Sequence, residues 1–136
     1  LKKNPLKRII LIVFVTILLA SSTVVRAQAE ASSAVPEAMK KCDISGCGKY
    51  FNDMVDLDIP GTRGSFGKVQ AMRILGDYLA SKCPGSLTVS RQGESPGGSR
   101  FVMGSYLANG KKNRFYITMR KSGPEFIIFA FQIQEE

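Results

Sequence analysis

Phe101-Val102-Met103-Gly104-Ser105-Tyr106-Leu107-Ala108-Asn109-Gly110, with a second strand-like run following from Arg114 to Lys121, governs how the rest of the chain reads. Asn-Gly between two such runs is the strongest short hairpin signal, because both residues tolerate positive φ. Ser122-Gly123-Pro124 then leads into a run from Phe126 to Gln134. Upstream, Glu94-Ser95-Pro96-Gly97-Gly98 separates Phe101 from Leu87-Thr88-Val89. The expectation is an antiparallel meander of four strands. On the last of them, strict alternation puts Ile127, Phe129, Phe131 and Ile133 on one face and Ile128, Ala130 and Gln132 on the other.

The segment before the meander reads as helix. From Lys68 to about Lys82, Ala71, Met72, Leu75, Tyr78 and Leu79 fall on one face, and Cys83-Pro84-Gly85 stops the run. Earlier, Val55, Leu57 and Ile59 alternate with Asp56 and Asp58, the period of a short half-buried strand that Pro60-Gly61 ends. The glycine-rich segment from Gly61 to Gly67 reads as a loop. Pro36 to Lys41 reads as a short helix with proline in its first turn, and Asp43 is placed to cap a second one. Helices first and strands last predict an α+β fold, with N-terminal helices packed on one side of a curved four-stranded antiparallel sheet.

The chain has 136 residues, no histidine and a formal charge of +8. Without histidine, Ser-His-Asp and Cys-His catalysis and histidine-ligated zinc are excluded. Much of the charge sits in a leader. Lys2, Lys3, Lys7 and Arg8 precede an apolar run from Ile9 to Ala20, and Ala27-Gln28-Ala29 fits the small-x-small cleavage rule. Residues 1–29 therefore read as a signal peptide cut near Ala29, 30–35 as a flexible lead-in and 36–136 as one domain. Removing the leader takes five of 19 basic residues and none of 11 acids, leaving +3. That balance, with basic residues scattered, argues against nucleic acid. Export delivers the domain to the periplasm or the exterior, and membrane contact is expected only through the leader before cleavage.

Several pieces together resemble an exported bacterial family, domain-of-unknown-function family 4783. They are Tyr50-Phe51-Asn52, Val55-Asp56-Leu57-Asp58-Ile59-Pro60-Gly61, Lys68-Val69-Gln70-Ala71, Gly93-Glu94-Ser95, Met103-Gly104 and Arg114-Phe115-Tyr116. The resemblance runs from about Pro36 to the C-terminus. It implies a nuclear transport factor 2-like (cystatin-like) cone and brings no catalytic residue with it. The chain departs from the family pattern at Gly67, where the family has Ser, and at Arg91, where it often has His.

The remaining constellations are modest. Gly61 to Lys68 lacks the spacing and the hydroxyl of a phosphate loop, although Arg63 and Lys68 near a helix start suit an anion. Ser65 and Lys68 match Ser-x-x-Lys without its companion motifs. Asp56 and Asp58 share one strand face and read as the solvated side of an edge strand. Cys42, Cys47 and Cys83 cannot all pair internally; Cys42–Cys47 is the favoured bridge and the connectivity stays open. The resemblance puts an apolar core residue at Cys47, where a free thiol packs well. Neither a metal nor a cofactor is expected.

These readings favour a small non-catalytic domain that binds a small ligand or an envelope protein in the cleft between sheet and helices. Tyr78, Tyr106, Arg114 and Tyr116 are its candidate ligand residues. The alternative is an isomerase or dehydratase with an Asp base and a Tyr acid in a buried pocket, which Phe129 and Phe131 would otherwise plug. A third reading is a homodimer through the open sheet face.

Overall fold

The computed structural model describes residues 4–10, 12 and 24–136, the side chains of 24–30 excepted. Of the expected leader, residues 1–3, 11 and 13–23, with most of its apolar run, lie outside the described residues. Among the described residues no helix is long and apolar enough to cross a membrane.

Helix α1 (Val24–Lys40) is longer than the sequence suggests and carries Pro36 in its interior, where the ring offers no N–H to the preceding turn. Residues 30–35, expected as a lead-in, continue this helix, and Ala31, Val35, Ala38 and Met39 are buried along its inner side. The helix ends in a Schellman turn. Asp43 N–H bonds the Ala38 carbonyl at 2.9 Å and Cys42 N–H the Met39 carbonyl at 3.0 Å, with Cys42 in the left-handed region at φ 55°. Asp43 then caps the short helix α2 (Ile44–Gly48), its Oδ1 accepting from Gly46 N–H at 3.1 Å.

Strand β1 (Phe51–Ile59) turns directly into β2 (Thr62–Gly67), which the sequence reading had as loop. Pro60 fixes the first turn position, and Gly61, at φ 85°, supplies the second. Helix α3 (Lys68–Ser81) follows without a break. Then β3 (Ser86–Glu94), β4 (Arg100–Ala108), β5 (Lys111–Ser122) and β6 (Glu125–Glu135) form the expected meander.

The sheet nevertheless differs from a four-stranded antiparallel one. It has six strands in the order β2-β1-β6-β5-β4-β3, and β1 lies parallel to β6. The two N-terminal strands join the meander along β6 because the apolar side of β1, Val55, Leu57 and Ile59, has to be buried under the helices, as Phe131 and Ile133 are. A bulge corrects the second expectation. Thr118 pairs with Ala130 and Met119 with Ile128, so Phe129 has no partner on β5 and the alternation of β6 reverses there. Phe126 and Ile128 therefore share the inner face with Phe131 and Ile133, all buried, and Phe129 is turned outward over Arg120, 4.7 Å from the guanidinium.

The core lies between this inner face and the helices. Leu57, Val102, Phe115, Ile117, Met119 and Phe131 pack against Ala71, Leu75 and Leu79 of α3 and Val35 and Met39 of α1, each 2% exposed or less. The expected amphipathic face of α3 is the one observed.

Candidate functional site

Alternation on β4 and β5 splits the four expected ligand residues between opposite faces of the sheet. Tyr106 pairs in register with Asn113 and points inward, whereas Arg114 and Tyr116 pair with Ser105 and Met103 and point outward.

On the inner side, Tyr78 of α3 and Tyr106 of β4 bring their hydroxyls together beneath the ion pair of Lys82 and Glu135. Lys82 Nζ also lies 5.4 Å from the centroid of the Tyr78 ring. The hydroxyls face each other, yet neither reaches full hydrogen-bond geometry, and Asn113 Oδ1 beside them is likewise without a partner. Burial, then the neighbouring Tyr78, pushes the Tyr106 phenol well above its ordinary value. Burial raises Tyr78 as well, with Lys82 opposing it. Asn113 is the only buried polar residue among those described, so no carboxylate enters the interior. Phe131 is fully buried under the helices and Phe129 lies outside, and a hollow of about 360 Å³ remains between Ser32 and Ser33 of α1 and Gln92, Glu94, Arg100 and Phe101 of the sheet.

The outer face is open. A cavity of about 500 Å³ is lined by Ser90, Ser105, Arg114, Tyr116, Gln132 and Gln134, with Lys112 at its edge. Ser90 enters it because β3 has its own bulge there: Val89 pairs with Gly104 and Arg91 with Met103, and the Ser90 hydroxyl donates to the Met103 carbonyl at 3.2 Å. Tyr116 stacks on Phe101 with ring centroids 5.9 Å apart and planes 11° off parallel. Arg114 and Lys112 both pair with Glu136, the latter at 3.4 Å. Gln132 also borders a second hollow of about 330 Å³, beside Asp56, Asp58, Arg63 and Ser65.

Two expectations concern residues around that second hollow. Asp56 and Asp58 do share the solvated face, although β1 is flanked by β2 and β6 and is not an edge strand. Each is engaged across the hairpin: Ser65 Oγ donates to Asp56 Oδ1 at 2.6 Å, and Arg63 donates to Asp58 Oδ2 at 2.6 Å. The Arg63 hydrogen bond, against some desolvation, holds the Asp58 carboxyl below its ordinary value. Arg63 and Lys68, expected together near the helix start, stand at opposite ends of β2. Arg63 lies beside the turn and Lys68 beyond the far end of β2, about 16 Å of extended chain away.

The cysteine expectation is also corrected. The disulfide joins Cys42 to Cys83, with Cα atoms 5.7 Å apart, and Cys47 is free and buried. The Schellman turn brings Cys42 to the end of α3, whereas helix α2 turns Cys47 into the core. Burial, with a smaller push from Asp43, raises the Cys47 thiol to about 12.

Sequence reasoning missed Ser90, Ser105, Lys112, Gln132, Gln134 and Glu136. Alternation does place Lys112 with Arg114 and Gln132 with Gln134, but the shared face emerges only from the cross-strand register.

The fold matches solved structures closely. A family protein from Bacteroides ovatus superposes with a TM-score of 0.71 at 21% identity, over 76% of this chain and 94% of that one. Its counterpart from Bacteroides uniformis gives 0.70 at 25% identity, over the same shares. An NTF-2 like protein of unknown function from Burkholderia xenovorans gives 0.60 at 16% identity, over 79% of this chain and 80% of that one. These likenesses establish an NTF2-like fold with a curved, unclosed mixed sheet. No curated protein matches the chain. The model of the domain of unknown function DUF4783 matches residues 32–134, and with that match and the shared fold the chain belongs to the DUF4783 family.

Proposed function

We propose that this domain is exported and acts without catalysis, binding a small ligand or an envelope protein on the outer face of its sheet. One observation carries the reading: the buried side chains between sheet and helices are apolar save Asn113 among the described residues, and a hollow of about 500 Å³, with Arg114 and Tyr116, opens on the opposite face. Its volume falls in the range of small-molecule sites, about 300–1,000 Å³. Export is supported by the leader pattern and by the Cys42–Cys83 disulfide, which persists in oxidising compartments.

The Asp/Tyr enzyme reading is weaker. The buried tyrosines, Tyr78 and Tyr106, face inward, while Asp56 and Asp58 lie on the outer face, where Tyr116 is in an open hollow rather than a buried pocket. A second binding reading has better support: Leu107 is 54% exposed on the outer face of β4, which also carries Met103 and Phe101 farther along, so a second copy has apolar side chains to cover.

Native mass spectrometry of the protein from its own envelope fraction tests the main reading. The expected result is a chain starting at Glu30 with a retained molecule, released by Tyr116→Ala with the fold intact. A ligand retained equally by that variant would refute the outer-face site.

A further inference from the structure

Arg114 and Lys112 stand on adjacent outward positions of β5 and share a single carboxylate, Glu136. Glu136 is held there by backbone as well: its N–H donates to the Lys112 carbonyl at 2.9 Å, one step beyond the last ladder pair, Asn113 with Glu135. Its side chain thus sits at the rim of the 500 Å³ hollow without filling it. Three of the hollow's polar side chains are uncommitted. No hydrogen bond ties the side chains of Ser105, Gln132 or Gln134 to other described residues. Tyr116 offers an aromatic surface already fixed by stacking on Phe101. Two cations with one acid, a fixed aromatic and three open hydrogen-bonding side chains form a set suited to an anionic head on a flat body.

We propose that the outer-face hollow binds a small organic carboxylate, and that Glu136 occupies the position of the ligand's carboxylate on Arg114 and Lys112 until the ligand displaces it. This rests on the outer-face binding reading given above and adds the class of ligand and the group that competes with it. Arginine favours this role because its planar fork matches a carboxylate with two parallel hydrogen bonds. The ligand's body lies against Tyr116 and Met103, with its remaining polar atoms toward Ser105 and the two glutamines.

The test is a titration of the ¹⁵N-labelled full chain with benzoate and, separately, with benzamide, which has the same ring and no charge. Benzoate is expected to shift the amides of Arg114, Tyr116 and Gln132, and to do so less at high salt. Glu136→Gln is expected to tighten benzoate binding about two- to fivefold, the range that loss of a competing exposed ion pair allows. Arg114→Gln is expected to weaken it about tenfold or more. Equal shifts by benzamide in the same residues would overturn the carboxylate preference and leave the outer-face reading standing. Unchanged benzoate affinity in Glu136→Gln would overturn the competing role of Glu136. Absence of groove shifts with either compound would overturn both the proposal and the reading beneath it.

Discussion

Gly104 lies in the middle of β4, opposite Phe115, and the Phe115 ring rests in the space that a side chain would take. A Cβ there would overlap the Thr88 carbonyl oxygen and come within 2.7 Å of that ring. Gly104→Ala should therefore cost about 1–3 kcal/mol or more, as overpacking in a filled core does; urea unfolding of the variant checks this. Cys47, Tyr78 and Tyr106 give a second prediction at this scale. Their folded-state values are raised, Cys47 to about 12, from ordinary values of 9.0 for the thiol and 10.0 for the phenols. Above about pH 9 the unfolded chain releases protons that the native state still holds, so stability present below that pH is lost as it rises. The urea midpoint should fall steadily from pH 9 toward 11, and Cys47 should resist maleimide until the protein unfolds. A flat profile would contradict the burial of these groups.

At the scale of elements, the Cys42–Cys83 bridge ties the turn after α1 to the end of α3 across 41 residues. A loop of that length corresponds to about 4 kcal/mol on the chain-entropy model. Reducing the bridge, or replacing both cysteines by serine, should lower thermal stability by an amount of that order; an unchanged melting temperature would count against the pairing. The sequence leaves a bridge from either Cys42 or Cys47 to Cys83 open but favours Cys42–Cys47, which are near along the chain; only the capped end of α1 places those two thiols on opposite sides. Helix α3 was legible in full from its apolar stripe, as were the β4–β5 hairpin from Asn109-Gly110 and the turn at Pro60-Gly61. Strand β2 was not. Gly64 and Gly67 read as loop residues, and pairing with β1 overrides their weak strand preference. The bulge at Phe129 was equally hidden, since strict alternation is the rule a bulge breaks.

At the scale of the whole molecule, the sequence carried the class of the fold but not the order of its strands. Nothing in the local pattern of Val55 to Ile59 says that its neighbour lies some seventy residues away along the chain. The site suffered the same way: Tyr78, Tyr106, Arg114 and Tyr116 were chosen by residue type, and a single sheet separates the first two from the last two. The pairing reading is also checked at this scale. Light scattering is expected to give a mass above the 14.9 kDa of one chain, falling to that of one chain in Leu107→Glu. A single-chain mass in both proteins would remove the reading and leave the hollow accessible to small molecules.

The parallel contact between β1 and β6 also sets a timetable. Phe51 pairs with Ile128 and Leu57 with Phe131, so the first hairpin has no lasting neighbour until β6 has been made. Such distant pairings are slow to form and cannot be completed from a partial chain. Synthesis from one end therefore leaves that hairpin open to chaperones until β6 arrives, and a chain stopped at Pro124 lacks the central ribbon that holds its two halves together.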